Sequence, residues 1–484
     1  MNQPHPDHLL NHIAGAWTQS LDGQVRPNLN PADTDDVIGD FAESSAGDIT
    51  AAVDAAAIAQ PAWDALGAIE RAKILTRAAR LIEDRTEEFA AAITREQGKR
   101  LTEARGEVRR SLAILEFTAG EARRINGVTT PAEEPRTVAM TFRRPLGVVG
   151  LITPWNFPVA IPMWKVAPAL LAGCAAVLKP SPLTPLTSAL LVQAFADAGA
   201  PAGVLNLVQG DREAGEALVA DPRVAGISFT GSLPVGQAIN RAGAHRLLRT
   251  QLELGGKNAL IVLADADLDA AVAAILHGAF GQSGQRCSAT SRVIVDRGVH
   301  DDLLARLVPR VEAMRVGRGD QEWADIGPVV NEERRQACLD AVEKAVADGA
   351  EIACGGGAAT VDTVGYFVRP TVLTGVAWDS EIAQEEVFGP VLSVITCDGY
   401  DDGMRISNSV RYGMSGTIFT RDPSLMFQAL QDFQAGMLHV NRPGVGAYAH
   451  LPHMGAKASQ LGAPECSPDV WDFYTDLRSA CIAY

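Results

Sequence analysis

Four short apolar runs, at 146–152, 175–178, 204–208 and 226–229, are separated by segments of helical length, and together they leave this chain few ways to fold. A strand that is apolar at every position has both faces buried, as in a parallel sheet with helices packed on each side. Right-handed crossovers then carry the chain from one strand to the next. A second series of the same kind begins near Leu260 and takes in 292–295 and 391–395. At 484 residues the chain is too long for a single core and suits roughly two to three domains.

The segment before the first run reads differently. Residues 47–126 are rich in Ala, Glu and Arg, and Leu75, Ala78, Ala79 and Ile82 form one stripe at helical spacing, so amphipathic helices are expected there. Residues 137–143 alternate instead, with Val138, Met140 and Phe142 on one face of a half-exposed strand. The balance of 42 Lys and Arg against 58 Asp and Glu gives a net charge of −16, a surface that repels nucleic acid and anionic membranes. Backbone N–H groups can still bind phosphate locally whatever the net charge. Seven scattered cysteines (Cys174, Cys287, Cys338, Cys354, Cys397, Cys466 and Cys481) include no C-x-x-C pair, which suits a reducing compartment. The most apolar stretch, 145–178, is broken by Pro154, Asn156, Pro158, Pro162, Lys165 and Pro168, so no membrane span is expected. The first eight residues show no basic segment leading into an apolar one. A cytoplasmic protein with neither nucleic-acid nor membrane partners is the expectation.

No G-x-G-x-x-G is present. In its place Phe229-Thr230-Gly231-Ser232 ends a strand and opens a helix that includes Gly236. Gly231 permits a tight turn, and a helix N-terminus offers N–H groups to a pyrophosphate; the same residues also suit an ordinary strand-to-helix turn. Lys179 closes the run at 175–178, where the C-terminal ends of parallel strands face a ligand crevice. Its ammonium can meet ribose hydroxyls there, or only solvent. Thr153-Pro154-Trp155-Asn156-Phe157-Pro158 follows the first run, and its two prolines stiffen the loop. The Asn156 amide is then a fixed donor for a developing oxyanion, or a turn former. Cys287 lies in a loop with Gly281 and Gly284 and beside Arg286, a setting that suits a stabilised thiolate, although buried cysteines often act as small hydrophobes. It follows Glu253 by 34 positions. A thiol that forms a covalent adduct and a carboxylate that activates water are the groups needed to oxidise an aldehyde to an acid. His450 and His453 lack a third nearby ligand, so no metal site is expected.

Taken in order, Asn156-Phe157-Pro158, Lys179, Phe229-Thr230-Gly231-Ser232, Glu253-Leu254-Gly255-Gly256-Lys257, Gly284-Gln285-Arg286-Cys287 and Glu386-Val387-Phe388-Gly389-Pro390 resemble the aldehyde dehydrogenase superfamily over nearly the whole chain. The resemblance implies an α/β fold of two Rossmann-type domains with a small β oligomerisation arm. Residues 1–122 and 145–253 would form the dinucleotide-binding domain, 254–450 the catalytic domain, and 123–144 with 465–484 the arm. It implies that Cys287 attacks the aldehyde, that Asn156 and the Cys287 N–H hold the oxyanion, and that Glu253 activates the hydrolytic water. Lys179 and Glu386 would hold the two riboses of NAD or NADP, Gly231, Ser232 and Gly236 would serve the pyrophosphate, and Trp155 and Phe388 would pack at the cofactor. Phe157, Trp164, Arg286, Ser288 and His453 are expected around a small aldehyde substrate, in a homodimer or homotetramer.

Two departures from the family pattern bear on specificity. Pro182 stands where many members carry a glutamate that would repel a 2′-phosphate, so NADP is expected to be accepted. Pro452-His453-Met454-Gly455 replaces a common Pro-Phe-Gly-Gly, and His453 with His450 and Arg442 suggests a polar substrate entrance. The stretches 159–165 and 287–292 look nearest to members acting on α-ketoglutaric semialdehyde, with succinic semialdehyde enzymes also similar. A CoA-acylating member is a second reading, weakened by Glu253, which such members generally lack. An inactive binding protein is a third, weakened by the intact Cys287, Glu253 and Asn156.

Overall fold

The computed structural model of the protein describes residues 9–484. The first eight residues, and with them the expected lack of an N-terminal leader, lie outside the described residues. Four helices fill the segment expected to be amphipathic: α1 (Ala46–Ala65), α2 (Ala68–Asp84), α3 (Thr86–Gln97) and α4 (Leu101–Gly120). A capping box starts α1, with the Ser45 N–H donating to Asp48 Oδ2 at 3.0 Å. The stripe of Leu75, Ala78, Ala79 and Ile82 is buried.

The apolar runs form the centre of an eight-stranded sheet. Its order is Ala16–Thr18, Asn11–Ile13, Leu205–Leu207, Ala175–Lys179, Val148–Ile152, Val224–Thr230, Arg249–Glu253 and Gln460–Leu461. The five strands from Leu205–Leu207 to Arg249–Glu253 are mutually parallel. Side chains alternate between two cores. Val149, Leu151, Ala176 and Leu178 pack with α2, α3, α4 and α5 (Ala160–Ala172), whereas Val148, Ile152, Ala175 and Val177 pack with α1. Each fully buried aliphatic side chain contributes roughly 1.5–3 kcal/mol. The edges depart from the parallel expectation, because Asn11–Ile13, Ala16–Thr18 and Gln460–Leu461 run antiparallel. These segments of two or three residues carry no pattern of their own and are recruited by the strands beside them.

The second sheet has seven strands, in the order Glu351–Cys354, Thr371–Thr374, Val391–Cys397, Thr290–Asp296, Asn258–Val262, Ser415–Phe419 and Met437–Val440. All neighbours pair in parallel except Glu351–Cys354 with Thr371–Thr374. A third, antiparallel sheet joins Thr475–Ala483 to Thr137–Pro145, with Thr475 opposite Pro145 and Ala483 opposite Thr137. Phe142, Leu477 and Ile482 leave apolar surface exposed on it.

The two large sheets set the place of the site. In the first, Ile152 lies opposite Lys179 and Phe229, and Thr230 lies opposite Glu253, so the C-terminal ends of these strands form one edge. Cys287 and Gly389 lie just before the N-terminal ends of Thr290–Asp296 and Val391–Cys397 in the second. The chain crosses directly from Glu253 to Asn258, joining the two edges.

Candidate active site

The Cys287 loop is held in an unfavourable backbone conformation from both sides. Gln282, Ser283 and Gly284 have consecutive positive φ values of 54°, 55° and 69°. For residues other than glycine this costs on the order of 1 kcal/mol or more each, and such strain persists only where neighbours enforce it. Gln282 Nε2 bonds the Asn156 carbonyl, Ser283 Oγ donates to the Gly327 carbonyl at 2.8 Å, and Gln285 Oε1 accepts from Val330 N at 3.0 Å. Gly284 has no substitute, since a Cβ there would lie 2.2 Å from the Gly389 carbonyl oxygen. Beyond the cysteine, Asn258 Nδ2 donates to the carbonyls of Cys287 at 2.8 Å and Ala289 at 2.9 Å.

Burial pushes the Cys287 thiol up to about 12, aided by the charges of Glu253, Glu386 and Glu465 and opposed by the Ser288 N–H. Arg286 still interacts favourably with the Cys287 charge, but burial and the nearby acids outweigh that help. Its guanidinium turns to Glu103, 3.7 Å away, and to the His277 carbonyl, because adjacent residues in this loop point in different directions. Ser288 is buried.

Glu253 ends its strand with 2% exposure, and both carboxylate oxygens lack a hydrogen-bond partner among the described residues. Burial, followed by the charge of Glu465, raises its pKa well above that of an ordinary glutamate, while Lys165 opposes the shift. Lys165 Nζ bonds Glu465 Oε1 and donates to Ser228 Oγ at 2.8 Å, in a buried pair that the motifs did not reveal. The one legible signal was Lys165 itself, the single charge in the otherwise apolar α5. Removing one member of such a pair strands the other charge. Lys165→Met is therefore expected to destabilise the fold by about 3–5 kcal/mol in urea unfolding, and adding Glu465→Leu should recover most of the loss. Equal stability of the single variant and the native chain would contradict this.

Asn156 is buried beside the cysteine loop, and its Nδ2 donates to the Gln285 carbonyl at 3.0 Å. An amide nitrogen carries two hydrogens, so one is left for a substrate oxygen. Lys99 Nζ donates to the Asn156 carbonyl at 2.7 Å and to Glu107 Oε2 at 2.6 Å, and it lies 4.3 Å from the Phe157 ring centroid. Glu107 Oε1 in turn accepts from Val159 N at 2.8 Å and Ala160 N at 3.1 Å, fixing the start of α5. Trp164 stacks on His453 with centroids 4.5 Å apart. His453 is buried and pushed down to about 3, so its ring is neutral and supplies no charge to an entrance. Arg442 and His450 lie instead against Tyr448, the former donating to its hydroxyl at 3.2 Å.

The aldehyde dehydrogenase family profile matches residues 17–480. The chain belongs to the aldehyde dehydrogenase family. It is 40% identical over 476 residues to an α-ketoglutaric semialdehyde dehydrogenase of Bacillus subtilis, covering 98% of each chain. Among solved structures it resembles an NADP-dependent enzyme of E. coli, with a TM-score of 0.95, 34% identity and 98% coverage of both chains. It also resembles a betaine aldehyde dehydrogenase of Staphylococcus aureus in complex with NAD+, with a TM-score of 0.96 and 31% identity over 98% of this chain and 95% of that one.

The other side of this aldehyde dehydrogenase crevice offers groups suited to a dinucleotide. Lys179 Nζ donates to the carbonyls of Pro180 and Gly210 at 2.8 Å each, and burial pushes it down to about 8. Ser232 opens the helix Leu233–Gly243 without a side-chain cap, leaving first-turn N–H groups open to an anion. Gly236 lets that helix approach closely, since a Cβ there would lie 2.4 Å from Leu254 Cδ2. Burial raises Glu386 to about 7, and its Oε1 accepts from Gly256 N at 2.9 Å. Trp155 and Phe388 meet edge to face at 5.5 Å. Among the described residues, no group of three or more His, Cys, Asp or Glu side chains could hold a metal ion. No helix among them is long and apolar enough to cross a membrane.

Proposed function

We propose that the protein oxidises a small, carboxylate-bearing semialdehyde to the acid with NAD or NADP, using Cys287 as nucleophile and Glu253 as base. The observation that carries this reading is the bare carboxylate of Glu253, buried at the edge that faces the Cys287 loop. The charge of Glu253 raises the cost of ionising Cys287, so the pair resists carrying two negative charges. The thiol proton passes to solvent as sulfur adds to the aldehyde carbon. Asn156 Nδ2 and the Cys287 N–H then hold the resulting oxyanion. Lys179, Ser232 and Glu386 would hold the nicotinamide cofactor, which would accept the hydride when bound. Glu253 next takes a proton from water, which adds to the Cys287 thioester and expels the thiolate as the acid forms. The expected test is acid formation without CoA, and a requirement for CoA would overturn the hydrolytic reading.

The pH profile follows from the electrostatics. Glu253 must be ionised to accept a proton, and its pKa is raised, so hydrolysis-limited turnover should fall as pH drops through a value above that of a free carboxylate. Glu465→Gln removes a neighbouring negative charge and should move this acid limb to lower pH. A limb that stays in place would refute the coupling.

The cofactor reading includes NADP. Pro182 brings no carboxylate to the adenosine side, and the acids that do act on Lys179, Glu43 and Asp211, are engaged by Arg26 at 2.7 and 3.0 Å. We expect kcat/KM for NADP to equal or exceed that for NAD, and strict NAD use would sink this reading. The exposed apolar side chains of the outer sheet, Phe142 and Ile482 on one face and Leu477 on the other, are proposed to join protomers into a dimer or tetramer.

A further inference from the structure

The main-chain carbonyl of Asn156 ties together two loops that the reaction needs in register. Lys99 Nζ reaches it at 2.7 Å from the segment just before α4, and Gln282 Nε2 reaches it from the Cys287 loop. Asn156 Nδ2 returns the contact to the Gln285 carbonyl at 3.0 Å, so the two loops are bonded in both directions. Both donors are themselves fixed. Gln282 keeps its left-handed φ of 54° while its N–H donates to Glu103 Oε1 at 2.8 Å. Lys99 and Glu107 form a pair with fully buried side chains, and Glu107 is held in turn by the amides of Val159 and Ala160.

Nothing comparable steadies the far end of the Asn156 side chain. Its Oδ1 is buried and has no hydrogen-bond partner among the described residues. The aim of the free Nδ2 hydrogen is therefore set by one bond to Gln285 and by where the main chain is held. Replacing a buried ion pair with apolar side chains is often neutral for stability, so the fold alone does not call for Lys99. What Lys99 supplies that an apolar chain lacks is a charge-assisted donor to this carbonyl. We propose that Lys99 and Gln282 are positioning residues, which hold the Asn156 main chain so that Nδ2 and the Cys287 N–H converge on one oxygen. This rests on the oxyanion role proposed for Asn156 above. A displacement of about 1 Å near a reacting centre can cost on the order of 10²-fold in rate.

The test follows the first turnover of NAD(P)H by rapid mixing in Gln282→Met and in Lys99→Met/Glu107→Gln, a double change that strands no carboxylate. Each should lower that rate about 10- to 100-fold and leave cofactor affinity near native. Gln282→Met, which leaves every charge paired, decides the matter if the double variant does not fold. The same changes are then made in an Asn156→Ala background. Asn156→Ala alone should cost about 10²- to 10³-fold. There Gln282→Met should add less than about 3-fold, because no amide remains to be aimed. A structural role, or displacement of Cys287 itself, would cost the same factor in both backgrounds, and that result would overturn the proposal. If Asn156→Ala leaves the rate unchanged, the oxyanion reading fails and takes this proposal with it. If Asn156→Ala is slow while the Lys99 and Gln282 variants match the native rate, only the positioning assignment fails.

Discussion

Cys287→Ala is expected to lower aldehyde-dependent NAD(P)H formation by on the order of 10⁴-fold or more, since no other group can hold the substrate covalently. The loss should fall on chemistry and not on folding. The cysteine forms no disulfide, its sulfur accepts only from the adjacent Ser288 N–H, and Asn258 grips the backbone carbonyl, which alanine keeps. The variant should therefore melt like the native chain and still bind the cofactor, as followed by fluorescence titration. Cys481→Ala, at an exposed position on the outer sheet, is the matching control and should retain full activity. Turnover by Cys287→Ala near the native rate would refute the nucleophile assignment. Turnover by neither form would favour a binding protein over an enzyme.

Glu253→Gln should separate the two halves of the reaction. Losing the base that activates water lowers steady-state turnover by about 10²- to 10⁴-fold. Glutamine has nearly the same shape and leaves no charge in a site where the carboxylate has no hydrogen bond to lose. Cys287 should therefore still react once, helped by removal of the carboxylate that holds its pKa high. Rapid mixing should show a burst of about one NAD(P)H per site, followed by near arrest. An unchanged steady state would show that another group activates water. Complete absence of the burst would place Glu253 mainly in the thiol-activation step.

Much of this was legible in the sequence because the relevant signals are local. Strands buried on both faces read as unbroken apolar runs, with Lys179 at the end of one and Asn156 and Ser232 just after two others, at the crevice edge. The two-residue and three-residue edge strands were illegible, since their pairing is dictated by neighbours far away in sequence. The groups that tune the site were missed for the same reason. Lys165 and Glu465 are 300 residues apart, and Asn258 reaches Cys287 from a different strand. Arg286 was only partly informative: its guanidinium serves Glu103, and its favourable pull on Cys287 is outweighed by burial and the nearby acids. That His453 is a neutral ring packed on Trp164 was likewise illegible, since neither the contact nor the burial shows in the residue type.

The central claim is that a thioester forms on Cys287 and waits for Glu253. Mass spectrometry of the Glu253→Gln variant, mixed with aldehyde and NAD(P) and quenched after the burst, tests this most directly. The account predicts one added acyl group per chain, on the peptide containing Cys287 and removable by hydroxylamine, with none when the cofactor is omitted. An unmodified Cys287 after a full burst, or an acyl group on another residue, would contradict it.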